Sequence, residues 1–532
     1  MDTVYYNGTI ITLESEADNP EAVLTRDGRI IAVGTLAEIK TLAHNSETIY
    51  KDLEGHCMLP AFIDAHSHIM MAGQMAACAD LSECSCFEDI ISVLKEYMLS
   101  DNFNGRMIIG FGYDHNFLAE KAHPDKHVLD KAAADIPIMI MHISAHFACA
   151  NSKLLELAGI DENTDNPSGG RFGRIPGSNE PDGYIEEAAL MPVQKIIAGM
   201  TEFNPVKMLN NVQNYYAQYG ITTVQEGAAN PENIAMLKKA SENGLLKLDV
   251  VAYPVLNEHT KGLLEKYPDI NCQYSNNLKL GGYKLILDGS PQGRSAWLSK
   301  PYLNGEPDYC GYPWLKTELV EDLLKYAVAS EKQVLAHCNG DAASEQFICA
   351  YEKALSESGT SKDLRPVMIH CQTVRNDQLD RMAKLNMIAS VFVGHVYYWG
   401  DIHMSNFGPE RGNHISPVKD ALDRGLTVNF HQDAPVTKPD MLHSVWCAVN
   451  RISRNGNIIG ENQKISVYEA LKAITINAAY EYNEENIKGS IAKGKNADFA
   501  ILDKNPLTCP KAYIKDIRVL ETIKNGETIY SF

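Results

Sequence analysis

The 532-residue sequence predicts an α/β chain: a (β/α)8 barrel interrupted by a large insertion and joined to a small β-sandwich assembled from both chain ends. Three observations carry that expectation. Apolar strand-like runs alternate with helical segments through the middle of the chain, the pattern of parallel βα units. Both ends consist instead of short β-rich runs separated by Asn-Gly and Asp-Gly turns. One stretch of roughly 150 residues is far longer than a βα connection needs.

Residues 1–58 contain VYYNGTIITL and EAVLTRDGRIIAVG, in which Asn7-Gly8 and Asp27-Gly28 predict hairpins. Residues 488–532 have the same texture in GSIAKGKNADFAILDKNPL and VLETIKNGETIYSF, with a further turn at Asn525-Gly526, so the two ends are expected to form one β domain. The barrel is expected over 59–487. Its eight candidate strands are LPAFIDAH, GITTVQEG, LDVVAYPV, YKLILDGS, QVLAHCN, PVMIHCQ, MIASVFV and TVNFHQD. Two further runs, RMIIGFGYD and IPIMIMHIS, fall between the first and second and are assigned to an insertion at about 75–215.

The net charge of -20 repels phosphate backbones and anionic headgroups, which excludes nucleic acid and membrane as main partners and leaves a small-molecule substrate. The opening MDTVYYNGTIITL lacks a basic segment followed by an apolar run, and no apolar run reaches the roughly 18 residues of a membrane span. A cytoplasmic chain is therefore expected, its 12 cysteines reduced. A homodimer is the expected assembly, on the general frequency of such enzymes alone.

The sharpest local signal is Ala65-His66-Ser67-His68, which closes the run LPAFID. Side chains alternate faces along a strand, so His66 and His68 point the same way and bring two imidazoles together. Placed where a barrel strand meets its loop, they face the end at which barrel active sites are built. Lys284, His337, His370 and Asp433 stand at or near the ends of the fourth, fifth, sixth and eighth runs. One such side chain per strand end is the footprint of metal ligands that are distant in sequence but adjacent around a barrel. Singly, each histidine could be a satisfied core residue; the set of six is hard to explain that way.

PAFIDAHSH, GGYKLILDGS, AHCNGDAA, HCQ and HQDAPV, with DGRIIAVG and GSIAKGKNADFAILDKNPL at the ends, resemble the amidohydrolase superfamily, in the branch that includes N-substituted formamide deformylases. The insertion is similar to the same branch in GFGYDHNFL, HFACANSKLLELAGI and GYIEEAA. The resemblance implies that His66 and His68 bind the more buried of two divalent metals, with Asp433, and that His337 and His370 bind the other. Zinc is the leading metal, and manganese, iron or cobalt would accept the same ligands. Lys284 would bridge the pair, because a neutral amine can add carbon dioxide and become an anionic carbamate.

Two cations lower the pKa of a bound water towards about 7 and polarise a carbonyl. Asp433 would take the proton of the attacking water and pass it to the leaving group. The implied reaction is hydrolysis of a non-peptide C–N bond in a small amide such as an N-formyl or N-acyl amine. A cyclic amide, an ester or a deaminase substrate would use the same metals, and a non-catalytic ligand-binding barrel is the alternative of another class. One departure stands out: similar sequences often carry Gly-Ser before the aspartate, whereas this chain has His431 and Gln432.

His395, in VFVGHVYYW at the end of the seventh run, matches a family histidine and is expected to touch substrate or an oxyanion. Arg294, in the loop after the fourth run, suits a substrate carboxylate. Tyr113, Asp114 and His146 of the insertion are expected to contact substrate as a lid, and Tyr397-Tyr398-Trp399 suggests an apolar pocket wall.

Overall fold

The computed structural model describes residues 1–43, 47–76, 78–100, 102–143, 147–167, 170–200 and 204–532. The chain divides into two compact units, Met1–Ile69 with Gln213–Phe532, and Met70–Val212.

In the first unit eight strands run parallel in chain order: β1 (Phe62–Ile63), β2 (Ile221–Ala229), β3 (Asp249–Pro254), β4 (Gly282–Ile286), β5 (Gln333–Cys338), β6 (Val367–His370), β7 (Ile388–Val391) and β8 (Thr427–Phe430). They coincide with the eight apolar runs, and nearly every residue in them is buried, as parallel strands covered by helices on their outer face require. The helices between them are amphipathic. Thr317–Ala329 buries Val320, Leu323, Leu324, Ala327 and Val328, one stripe at 3.6-residue spacing. Asn230 starts Pro231–Glu242 by accepting the Asn233 N–H, and Pro231 suits the first helical position.

A short strand just before β4 takes a different partner. Leu278–Leu280 pairs with β3, whereas β4 pairs with β5. A bridge between Val255 and Lys284, and the 2.8 Å bond from the Leu256 N–H to the Lys284 carbonyl, carry β3 onto β4. The switch falls at Gly281-Gly282 because Tyr253 crosses there, its hydroxyl donating to Gln333 Oε1 at 2.8 Å. A Cβ on Gly281 would stand 2.3 Å from Tyr253 Cζ, and one on Gly282 2.3 Å from the Gln333 carbonyl oxygen. Beyond β8, the His68 N–H donates to the Ala434 carbonyl at 2.8 Å.

The two chain ends build two sheets. One runs Thr9–Ile10, Cys57–Pro60, Phe499–Leu502, Val519–Lys524, Glu527–Ser531; the other runs Arg29–Gly34, Ala22–Arg26, Asp2–Tyr6, Ile49–Asp52. They share an apolar core that includes Tyr5, Ile30, Met58, Phe499 and Ile523. Asp27-Gly28 and Asn525-Gly526 form hairpin turns with positive φ at both residues (47° and 78°, 50° and 78°). Asn7-Gly8 departs from the expected hairpin. Asp2–Tyr6 pairs with Ala22–Arg26 and Ile49–Asp52, while Thr9–Ile10 pairs with Cys57–Pro60, so this turn passes the chain from one sheet to the other. A Cβ on Gly8 would meet the His56 carbonyl oxygen at 2.5 Å, so the glycine serves close approach there.

The second unit has its own six-stranded sheet, in the order Gly170–Arg174, Pro181–Glu187, Phe147–Ala150, Ile138–His142, Ile108–Tyr113, Ala79–Asp80. The two extra apolar runs are its parallel neighbours Ile108–Tyr113 and Ile138–His142. Leu81, Ile90, Leu94, Ile108, Ile140 and Cys149 form part of its separate core. Among the described residues no helix is long and apolar enough to cross a membrane.

Gly281→Ala forces its methyl group into the Tyr253 ring, and such overpacking costs about 1–3 kcal/mol. We expect a lower urea midpoint at unchanged slope; an unchanged midpoint would mean that Tyr253 can move aside.

Candidate metal centre

The parallel register sets the side chains of the strand ends next to one another: Ile286 lies beside His337, and Cys338 beside His370. His66 and His68 follow β1, with ring centroids 5.1 Å apart. Asp433 follows β8, and its Oδ1 lies 3.4 Å from His66 Nε2 and 3.2 Å from His68 Nε2. Lys284 Nζ is 3.4 Å from His66 Nε2. The His337 and His370 ring centroids are 4.4 Å apart, and His370 Nε2 lies 4.0 Å from Asp433 Oδ2. Positive φ values at His370 (78°), Cys371 (50°) and Asp433 (54°) bend the chain sharply where these side chains leave their strands. Such strain, on the order of 1–3 kcal/mol per residue, persists where the surroundings over-determine it, as at functional sites.

Buried partners set which nitrogen of each ring faces the centre. Gln225 donates its Nε2 to the Ala65 carbonyl at 2.7 Å, which turns Oε1 towards His66 Nδ1, 2.5 Å away. His66 Nδ1 is therefore the donor and its Nε2 lone pair points inward. His337 Nδ1 donates to Asp288 Oδ1 at 3.0 Å; the Asp288 carboxylate also accepts the N–H groups of Trp297, Asn339 and Gly340. Behind His370, Nδ1 lies 3.2 Å from His431 Nε2, and His431 Nδ1 lies 3.0 Å from Ser390 Oγ. His431 thus stands behind a ligand rather than in the ligand row, in a chain that lets His370 present Nε2.

Acceptors crowded in this way are relieved by a positive charge, whether a proton at His68 or a metal ion, so these residues fit a cation. Asp433 Oδ1 is buried, and the polar atoms set around it are the Nε2 atoms of His66 and His68. His66 Nε2, His68 Nε2 and Asp433 Oδ1 lie at the edge lengths of a metal polyhedron, since tetrahedral ligands bonded at about 2.0–2.1 Å stand roughly 3.3 Å apart.

Burial drives the titration of the cluster. It pushes the His66 and His370 imidazoles well below the usual range, with help from Lys284 and His337 respectively, and lowers the Lys284 ammonium to about 8. Burial also lowers His431 to about 3 and raises the Asp64 and Glu481 carboxyls to about 8. At Asp433 burial is outweighed by His68, His370 and His66, which hold the carboxylate well below its ordinary value. His68 moves the other way: burial would lower it, but the Asp433 carboxylate raises it.

His395 is buried at the start of the helix His395–Asn413, its Nδ1 3.1 Å from His403 Nε2 and its ring against Phe392 and Trp399. Arg294 is exposed and donates to the Asn304 carbonyl at 2.6 Å. Tyr397 and Tyr398 both pack on His443. Tyr113 and Asp114 belong to the second unit, where the Tyr113 hydroxyl is buried between His123 and Cys149; His146 lies outside the described residues. Sequence reasoning missed Gln225, Asp288 and Glu481. The polar pair Gln225-Glu226 closing an apolar strand was a usable signal, as was Asp288 four residues after Lys284; nothing in the local sequence marks Glu481.

A family model described as "Amidohydrolase family" matches residues 51–530. The chain is 26% identical to a putative amidohydrolase, YtcJ, of Bacillus subtilis (strain 168), covering 100% of this chain and 99% of the relative. It is 25% identical to an N-substituted formamide deformylase of Arthrobacter pascens, covering 99% and 98%. Among solved structures, an uncharacterized metal-dependent hydrolase from Pyrococcus horikoshii OT3 superposes with a TM-score of 0.76 at 25% identity, covering 96% of this chain and 99% of that one.

A metal entering here displaces the proton that Asp433 helps His68 to retain. The His68 pKa is raised, so its protonated form persists to higher pH and competes with metal more strongly as pH falls. We expect apparent affinity to drop by up to about tenfold per pH unit below that pKa, read from competition with a chromogenic chelator. A pH-independent affinity would remove the proton from His68.

Proposed function

The chain belongs to the amidohydrolase family, enzymes that hydrolyse carbon–nitrogen bonds, and on that premise we propose that it cleaves a small non-peptide amide, such as an N-formyl or N-acyl amine. The observation that carries this reading is the convergence of His66, His68 and Asp433, with Lys284, His337 and His370 alongside, at the ends of parallel strands. The eight strands close into a barrel in this reading, supported by the switch at Gly281 and the bond from His68 to Ala434, and the terminal sheets form a sandwich. The substrate class rests on the deformylase relative, which shares nearly the whole chain length.

His66, His68 and Asp433 would hold one divalent ion and His337 and His370 a second, zinc suiting the imidazole-rich set. Bound there, the ions would lower the pKa of a water and polarise the substrate carbonyl. Asp433 is the proton carrier: its carboxylate stays ionised at neutral pH, so it can accept the proton of the attacking water and deliver it to the leaving nitrogen. Lys284 is suited to a bridge as the carbamate, because burial already favours the neutral amine that adds carbon dioxide. Gln225, Asp288 and His431 hold the Nδ1 sides of His66, His337 and His370, which turns each Nε2 inward.

The test is turnover of a panel of N-formyl and N-acyl amines by protein loaded with zinc, beside cyclic amides and esters. Asp433→Asn should keep the fold and lower turnover by about 10²–10⁴, the usual worth of a general acid–base group; near-normal turnover would sink the assignment. Lys284→Ala should lose turnover and one metal per chain, and regain part of both when acetate supplies a small carboxylate. Full metal content in Lys284→Ala would count against the bridge.

A further inference from the structure

The second unit carries another convergence of metal-ligating atoms, which the reaction proposed above does not use. Asp114 and His115 directly follow Ile108–Tyr113, and His142 ends its parallel neighbour Ile138–His142, so the register that pairs His142 with Tyr113 brings all three together. His115 Nδ1 lies 3.2 Å from His142 Nε2, and Asp114 Oδ1 lies 3.5 Å from His142 Nε2 and 3.8 Å from His115 Nδ1. The side chains of Asp114 and His142 are 10% and 7% exposed and that of His115 28%, so the cluster is sheltered but reachable.

We propose that Asp114, His115 and His142 form a second binding site for a zinc-class divalent cation, independent of the centre at His66 and His68. Hydrogen bonding accounts for the cluster only in part. The 3.2 Å contact suits a bond between two imidazoles, but 3.5 Å is long for an N–H···O bond and 3.8 Å is beyond one. All three spacings fall around the roughly 3.3 Å edge of a tetrahedral site with ligands at about 2.0–2.1 Å. They also resemble the 3.2 Å and 3.4 Å separations at His68, His66 and Asp433.

The surroundings hold the ligands as a metal site needs them. The Asn116 N–H and Nδ2 both donate to Asp114 Oδ1 at 2.9 Å and fix the carboxylate. His123 stacks on His115 at 4.2 Å while its Nδ1 is tied to the Tyr113 hydroxyl at 2.9 Å, which clamps the His115 ring. Burial keeps His115 and His123 below the usual imidazole range, and His142 and Asn116 more than offset the effect of burial on Asp114 and hold its carboxyl below the ordinary value. Two nitrogens and one oxygen leave a fourth position open to water or an incoming ligand.

The experiment is elemental mass spectrometry of the full chain, saturated with zinc and then desalted. His115→Ala and His142→Ala are each expected to carry one zinc fewer per chain than the unsubstituted protein, whatever the content of the other centre; equal counts would overturn the proposal. A second measurement needs no variant: anomalous scattering at the zinc edge from crystals of the zinc-loaded chain. A peak within bonding distance of His115 Nδ1, His142 Nε2 and Asp114 Oδ1 is expected. No peak there, with or without one at His66 and His68, would reduce the cluster to a hydrogen-bonded one.

Discussion

Five side chains, His66, His68, His337, His370 and Asp433, crowd acceptor atoms into a common space, relieved in part by the proton that Asp433 helps His68 to keep, and the rest of the first unit answers that constraint. Such an arrangement is unfavourable for an apoprotein, and burial sharpens it by lowering the effective dielectric. The obvious internal cation, the Lys284 ammonium, is itself pushed towards neutrality by burial. In the proposed reading a divalent ion would relieve that crowding, and its affinity would then depend on how rigidly these side chains are held.

That rigidity comes from side chains behind the ligands. Gln225 reaches Ala65, Glu481 and Tyr482 while accepting from His66, so one amide ties β2 to the residues after β1 and to the C-terminal helices. Asp288 collects three backbone N–H groups besides His337, which joins the loop after β4 to the end of β5. Each ring is oriented by an element other than its own, so no single loop can drift without disturbing a neighbour's tautomer.

The strands and the ligand candidates were legible because both leave local marks. A parallel strand buried on both faces must be a short apolar run, and a polar or charged side chain turned towards a site interrupts that run, as Lys284 does within β4 and His337 and His370 do near the ends of β5 and β6. Asp27-Gly28 was readable as a hairpin because positive φ at both positions is a local property. Asn7-Gly8 misled because the same residues also serve a turn between sheets, and the choice of partner strand is a long-range matter. The same limit hid Glu481, which reaches Gln225 and Asn429 from a helix far along the chain. Asp114 was singled out but His115 and His142 were not, since only the parallel pairing of two insertion strands brings them together.

Cys57–Pro60 pairs with Phe499–Leu502, its sheet partner on the order of 440 residues later. Closing a loop of that length carries an entropic penalty that shorter contacts must first offset, although the penalty grows only logarithmically with length. During synthesis, Thr9–Ile10 and Cys57–Pro60 emerge before the eight parallel strands, whereas the other three strands of their sheet emerge after them. Until Phe499–Leu502 has emerged, the edge of Cys57–Pro60 that it covers has no partner from its own sheet. The terminal sheet is thus a latch between distant stretches of chain: it can close only once Phe499–Leu502 is available, and loss of that strand would leave the edge of Cys57–Pro60 open.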